Sequence, residues 1–299
     1  MTARCPLCDG DCTVAFVTHD RNRGVRPDAF TYRRCRRCGA LHLVDPPADL
    51  ATFYPASYFA LPGLDELRRR ALAERYRMDL VARHVAGGRL LEVGPGEGLF
   101  AIQALDAGFE VAAIEADATA AAHLRDVLGI EVVESAAPET ELTGLGPAAA
   151  IVAWHVIEHV PRPWELLESA ATALAPGGVL VLATPNPRAF GLRVLGARWP
   201  HVDAPRHLFL LPHEAVIARG RALGLEPVQL TATDQGGLGW NAFGWRYALR
   251  RAGVRWAHER LAHIAGDLIA RGLAPVERHG LRGAAYTLVL RKPPLASDS

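Results

Sequence analysis

The chain has 299 residues, half of them apolar and 22% charged, a globular balance that excludes a wholly disordered polypeptide. Its 33 basic and 32 acidic residues leave no global basic field to attract nucleic acid. No run approaches the ~20 apolar residues that span a bilayer, and the start MTARCPLCDG has no apolar signal core, so the expectation is a cytoplasmic protein with reduced cysteines.

Four of the five cysteines form two C-x-x-C pairs, Cys5 with Cys8 and Cys35 with Cys38, the second followed by Gly39. Two such knuckles offer four thiolates to one tetrahedral Zn²⁺, so a small structural zinc ribbon is expected over residues 1–45. The loop from Asp9 to Arg34 is longer than the commonest ribbon spacing and is free for another task. Cys12 is the spare thiol or an alternative ligand. A redox C-x-x-C would precede a thioredoxin-like pattern, and none follows. Arg33, Arg34, Arg36 and Arg37 bracket the second knuckle; they form a solvated rim or an RNA contact, with only Tyr32 as aromatic company.

Asp45-Pro46-Pro47 ends the ribbon. Residues 46–86 read as a linker carrying Phe53, Tyr54, Tyr58 and Phe59, then a helix from Leu64 to Val85 with Leu67, Leu72, Met78 and Val81 near one face. Apolar strands then alternate with helices. RLLEVG, EVAAIE, IEVVES, AAAIVAW, GGVLVLAT, LEPVQLTAT and AAYTLVLRK read as strands. Helices are expected over Leu99–Ala107, Asp117–Leu128, Pro163–Leu174 and Pro212–Leu223. This alternation predicts an α/β fold: a mostly parallel sheet with helices on both faces, preceded by the small ribbon.

The first of these strands runs into Glu92-Val93-Gly94-Pro95-Gly96-Glu97-Gly98. Glycines at a strand mouth let the backbone approach a ligand and turn into a helix N-terminus. The dinucleotide fingerprint would need a further glycine where Leu99 stands. Glu115, ending the next strand, occupies the place where an acid holds ribose hydroxyls.

EVGPGEG, AAIEAD, AAAIVAWHVIEHVPRP and LAPGGVLVLATPN, in this order, resemble the motifs of class I S-adenosylmethionine-dependent methyltransferases. The resemblance runs from Gly87 to Thr233, with PRHLFLLPHEAVIARGRALGLEPVQL as the late helix and strand and AYTLVLRK as the final strand. It is nearest to the branch holding quinone-biosynthesis O-methyltransferases and zinc-ribbon methyltransferases of glycan and natural-product pathways. It implies a Rossmann-like, seven-stranded, mostly parallel sheet over residues 87–292, a tail at 293–299, and S-adenosylmethionine as cofactor. Glu92 and Gly94 would lie under its methionine part, Gly96 and Gly98 would shape the loop around it, and Glu115 would accept from the ribose hydroxyls. Ser135 and Ala136 would lie at the adenine, without the usual acid. Trp154 and His155 would stand beside the methyl group.

His155, Glu158 and His159 match H-x-x-E-H, a zinc-protease pattern that needs a helix; here it follows a strand and is broken by Pro161 and Pro163. Quinone-biosynthesis relatives and small-RNA 2′-O-methyltransferases carry E-x-x-E-H here and use it with Mg²⁺. His155 in place of the first acid weakens a hard-ion site and leaves room for a softer divalent metal near Glu158 and His159, with a later histidine such as His207. A general base, His159 or His155, is the simpler use; a loop-fixing role is the third.

Two insertions stand where the acceptor would be covered. Residues 186–211 carry Trp199, His201, Asp203, Arg206 and His207; Trp199, His201 and His207 are the substrate-contact candidates. Residues 235–278 read as two helices with Trp240, Phe243, Trp245, Tyr247 and Trp256, then Leu261, Ile264, Leu268 and Ile269. They read as packing or dimer helices, or as a lid that touches a membrane-borne acceptor. The expected activity is methyl transfer to a small molecule, sugar or glycan, at oxygen or at carbon. An RNA methyltransferase and a non-catalytic ribbon scaffold are the alternatives, and the balanced charge weighs against RNA.

Overall fold

The computed structural model describes residues 3–55, 58–251 and 259–295; Trp256 lies outside them. The strands are β1 Ala3–Arg4, β2 Asp11–His19, β3 Ala29–Cys35, β4 Leu41–Leu43, β5 Arg89–Val93, β6 Glu110–Glu115, β7 Glu131–Glu134, β8 Ala148–Trp154, β9 Leu174–Pro185, β10 Phe209–Leu210, β11 Glu226–Thr231 and β12 Ala285–Arg291. The α-helices are α1 Leu64–Ala71, α2 Tyr76–Ala82, α3 Leu99–Asp106, α4 Ala118–Leu128, α5 Pro138–Leu145, α6 Pro163–Ala173, α7 Phe190–Leu195, α8 His213–Ala222, α9 Gln235–Arg251 and α10 Glu259–Arg278.

A seven-stranded sheet runs in the order β11-β12-β9-β8-β5-β6-β7. The pairs β5 with β6, β5 with β8, β6 with β7 and β8 with β9 are parallel. The strand at its centre, AAAIVAW, is buried at six of its seven positions, as expected where both faces are covered. Leu90, Val111, Val152, Val181 and Val289 fill one core with Phe100 and Leu124 from the helices. Asp117 starts α4 as predicted: its carboxylate accepts the Ala120 N–H at 2.8 Å. The helix expected from Leu64 to Val85 is instead broken, α1 and α2 being separated by a 3₁₀ turn at Leu72–Glu74. Helix α5 was not foreseen; Pro138 opens it, and its buried Glu139 pairs with Arg162 at 2.6 Å.

The chain divides into two compact units. One, called here the ribbon unit, joins Met1–Tyr54 with Thr184–Val216 and Leu230–Thr287. The other, the sheet unit, comprises Pro55–Ala183, Ile217–Gln229 and Leu288–Ser299 and carries most of the seven-stranded sheet.

In the ribbon unit a second sheet runs β1-β2-β3-β4-β10, so the ribbon is completed by a strand from far along the chain: Phe209 pairs with His42 and Leu210 with Leu41. The long loop between the knuckles folds into the β2–β3 hairpin. That hairpin docks on the 196–207 region: Thr18 Oγ1 donates to the Ala197 carbonyl at 2.7 Å, and Tyr32 Oη to the His207 carbonyl at 2.6 Å. At its centre Arg206, fully buried, meets Asp20 at 2.6 Å, Asp203 at 2.7 Å and the Phe53 carbonyl at 3.0 Å. The two helices expected over 235–278 form and pack together, with Trp245 Nε1 donating to Glu277 at 2.8 Å. Leu261, Ile264 and Leu268 make an exposed stripe on α10. Among the described residues no helix is long and apolar enough to cross a membrane.

Candidate active site

The glycine loop leaves β5 and enters α3, and its backbone explains its composition. Gly94 has φ +66°, and a Cβ there would stand 2.6 Å from Val156 Cγ2. Gly96 has φ +55°, and its Cβ would stand 2.8 Å from the Phe59 ring. A side chain would therefore be strained at both positions and would also displace a neighbour. The linker aromatic Phe59 thus covers the loop, held there by Ala60, whose N–H donates to Glu97 at 2.9 Å. Arg70 of α1 pairs with the same Glu97 at 2.5 Å.

Two carboxylates flank the loop. Glu115 at the end of β6 accepts the Gly96 N–H and the Asp117 N–H, each at 2.9 Å, one on each oxygen. Burial pushes its carboxyl up, and those N–H donors oppose the shift. Both oxygens keep lone pairs for a further donor. Glu92 is buried in β5, and its Oε2 has no hydrogen-bond partner among the described residues. Burial, and then the charges of Glu115 and Glu74, push the Glu92 carboxyl up to about 8 against the pull of Arg77. A buried acceptor left without a donor is costly, and it marks a place where a cationic or hydrogen-bonding ligand group would be welcome.

Trp154 ends β8 with its indole N–H unpartnered among the described residues. Phe100 packs on it at 5.5 Å, and the Arg77 guanidinium lies 5.1 Å from the centre of its ring. Arg77 also pairs with Glu74 at 2.8 Å. Arg77 escaped the sequence reading, and Phe59 was legible only as a linker aromatic, because both belong to the segment ahead of the strand motifs and only the fold returns them to the loop. The one signal was the linker's aromatic density.

His155 follows β8 at φ +59°, a left-handed conformation that a non-glycine residue adopts only when its surroundings impose it. Its N–H donates to the Ala183 carbonyl at 2.8 Å, and its Nδ1 lies 3.6 Å from a carboxylate oxygen of Glu158. Glu158 is fully buried, and the His159 N–H closes the turn on the Val156 carbonyl. This turn is the one whose Val156 presses on Gly94, so the histidine segment and the glycine loop share a wall. Ser135 sits beside Glu115, donating its N–H to the Glu115 carbonyl at 3.0 Å, while its hydroxyl accepts the Ala137 N–H. Gly98, Glu92, Glu115, Trp154 and His155 thus lie at the ends of β5, β6 and β8 or just after them, with Ala136 after β7.

The other predicted residues belong to the ribbon unit. The four sulfurs of Cys5, Cys8, Cys35 and Cys38 lie within 4.8 Å of one another, with Cys5 to Cys38 at 3.8 Å and Cys8 to Cys35 at 3.5 Å. Tetrahedral zinc with bonds of about 2.3 Å sets sulfurs about 3.8 Å apart, so the set fits the ion. Burial raises the Cys5 thiol; at Cys35 burial is outweighed by the Cys38 and Arg37 N–H groups, which bring it down to about 6. Cys12 stands outside this set, bonding the Gly10 carbonyl and grouping with Cys5 and His42. Trp199 and His201 are buried in an aromatic cluster with Trp240 and Phe243, and His201 Nε2 meets the Trp240 carbonyl at 3.0 Å. His207 Nδ1 meets the His201 carbonyl at 2.9 Å.

The profile of the methyltransferase domain family matches residues 64–230. The chain belongs to that family. The methyltransferase domain so defined begins at α1 and holds the glycine loop, both flanking carboxylates and the histidine turn. The ubiquinone biosynthesis O-methyltransferase of Caulobacter sp. (strain K31) is 34% identical over 155 residues, which are 49% of this chain and 61% of that protein. The protein of the same name from Ralstonia nicotianae is 30% identical over 177 residues, 55% of this chain and 72% of that one. A solved SAM dependent methyltransferase from Archaeoglobus fulgidus superposes with a TM-score of 0.51 at 17% identity, over 75% of this chain and 94% of its own. That likeness shows the methyltransferase fold, Rossmann-like with its seven-stranded sheet.

Proposed function

We propose that the protein transfers a methyl group from S-adenosylmethionine to a small-molecule, sugar or glycan acceptor, at oxygen. The observation that carries this reading is the buried Glu92 oxygen, without a partner among the described residues, beside a glycine loop whose Gly96 N–H is held by Glu115. The oxygen acceptor is favoured by the curated relatives, which are named as O-methyltransferases.

Bound S-adenosylmethionine supplies a methyl group already activated on a sulfonium. Glu92 would receive the positively charged methionine end, and Gly94 and Gly96 would let the backbone pass close beneath it. Glu115 would accept from the ribose hydroxyls with the lone pairs its two N–H donors leave open. Ser135 and Ala136 would border the adenine, and Trp154 would stand near the methyl group. Methylation of a hydroxyl would release S-adenosylhomocysteine and require the hydroxyl proton to leave. An imidazole of the 155–159 turn takes that proton, with Glu158 stabilising the charge that forms at His155. Alignment of oxygen, carbon and sulfur supplies most of the acceleration.

Alanine variants of His155 and His159 are expected to bind S-adenosylmethionine as the parent does, while one of them loses 10²–10⁴ in turnover, the usual range for a general base. Calorimetry and single-turnover assays read the two effects separately; full turnover in both variants rejects the assignment.

The four-cysteine set is the second part of the proposal: it holds one structural zinc ion that closes the ribbon. Native protein should carry about one zinc per chain by elemental mass spectrometry. Its removal by a chelator should lower the melting transition by roughly 10 °C, about 3 kcal/mol or more. A metal-free preparation with the same melting curve contradicts this.

A further inference from the structure

Beyond methyl transfer, and independent of it, we infer that the ribbon unit carries a binding site for the phosphate or diphosphate group of a small phosphorylated molecule, formed by Arg34, Arg188 and Arg193. A groove of about 500 Å³ opens between the β2–β3 hairpin and the segment from Pro187 to Gly196. Its lining includes these three arginines and no acidic residue. Small-molecule sites commonly measure ~300–1,000 Å³, so it has room for an organic phosphate as well as the anion itself.

Arg34 is half-buried in β3 opposite Thr13, and its guanidinium donates to the Gly39 carbonyl at 3.3 Å. Neither Arg34 nor Arg193 has a carboxylate partner among the described residues, and Arg188 shares its charge with Glu214 at 2.9 Å. Three like charges lining one groove repel, and an anion placed among them would relieve that repulsion. Guanidinium forks match phosphate oxygens in pairs, and close to three positive charges call for a dianion or more rather than a single carboxylate.

The apolar part of the lining fits the organic portion of such a molecule. Val14, exposed, and Phe16 stand on either side of a break in the β2–β3 register, and Leu192 faces the groove from α7. The chain's near-neutral total charge therefore conceals a local basic pocket. A long nucleic-acid backbone would need a basic track beyond a single groove, whereas one short cluster suits a single phosphorylated molecule.

Calorimetric titration of the full, metal-loaded chain without S-adenosylmethionine tests the assignment, using inorganic pyrophosphate and phenyl phosphate. Both should bind once per chain, with an affinity that falls as salt rises. Arg34→Gln should weaken binding at least tenfold. Arg193→Gln, on an exposed side chain whose loss leaves the fold intact, should weaken it at least threefold. Tighter binding of phenyl phosphate than of inorganic phosphate, titrated alongside as the reference anion, supports the apolar lining. No binding at millimolar concentration overturns the inference, as does equal binding by both variants. Binding of a short single-stranded RNA without either phosphate probe overturns it in favour of a nucleic-acid surface. A protein that fails to bind S-adenosylmethionine but passes this test loses the enzyme reading and keeps the phosphate site.

Discussion

Replacing Glu115 with alanine lowers the affinity for S-adenosylmethionine at least a hundredfold. The carboxylate does two jobs. It accepts the Gly96 and Asp117 N–H groups at 2.9 Å, which fixes the glycine loop against the end of β6. It also has the lone pairs to accept from the two ribose hydroxyls. A hydrogen bond to a charged group contributes about 1.5–3 kcal/mol, so losing two of them costs about 3 kcal/mol or more. Glu115→Gln keeps one acceptor oxygen and should lose about tenfold, half as much on the free-energy scale. Isothermal calorimetry reads both affinities. Equal affinity in the parent and the alanine variant would remove Glu115 from the site.

Arg206→Met destabilises the ribbon unit by roughly 3–5 kcal/mol, the usual cost of stranding a buried charge. Arg206 and the Asp20 side chain are both fully buried, and Asp203 completes the network. Removing the cation leaves Asp20 ionised with only the Val25 and Arg23 N–H groups. The double variant Arg206→Met with Asp20→Asn should recover part of the loss, since the orphaned charge is then gone. The network also sets an acid limit. Burial opposes the Asp20 carboxylate, but the bond from Arg206 and the Val25 and Arg23 N–H groups prevail and hold its carboxyl below its ordinary value of 3.8. A depressed acid contributes stability above its unfolded pKa and loses it as pH falls through the folded one. The parent should therefore weaken below about pH 4. Arg206→Met should show a shallower decline there. Chemical denaturation across pH distinguishes the two; superimposable curves contradict the network's role.

The central strands were legible because they are rich in valine, leucine, isoleucine and alanine and buried on both faces. AAAIVAW and VLVLAT are examples. The glycine loop was legible because positions at φ above +50° pressed by Val156 and Phe59 exclude other residues. What escaped depends on distant partners. β10 is two residues long and exists because Leu41 and His42 lie open to pair with it. The break between α1 and α2 has no glycine or proline to announce it. α5 contains Gly144 and little apolar periodicity, and it is steadied by Arg162 from a different loop. Arg77 is one arginine among many until α2 sets it over Trp154. Arg206, equally anonymous in PRHLF, is the charge around which the ribbon hairpin and the 196–207 segment assemble. Patterning reports which faces are buried, but not which distant side chains meet on them.

Methyl-labelled S-adenosylmethionine reads out methyl transfer at the glycine loop. The full chain is incubated with the labelled compound and fractionated cell extract, and the lipid, glycan, small-molecule and RNA pools are counted. Label is expected in a small-molecule, lipid or glycan pool, held as a methyl ether, and far less of it with Glu115→Ala at subsaturating S-adenosylmethionine. Label confined to RNA contradicts the acceptor class; no label in any pool, together with no calorimetric binding of S-adenosylmethionine, contradicts methyl transfer itself.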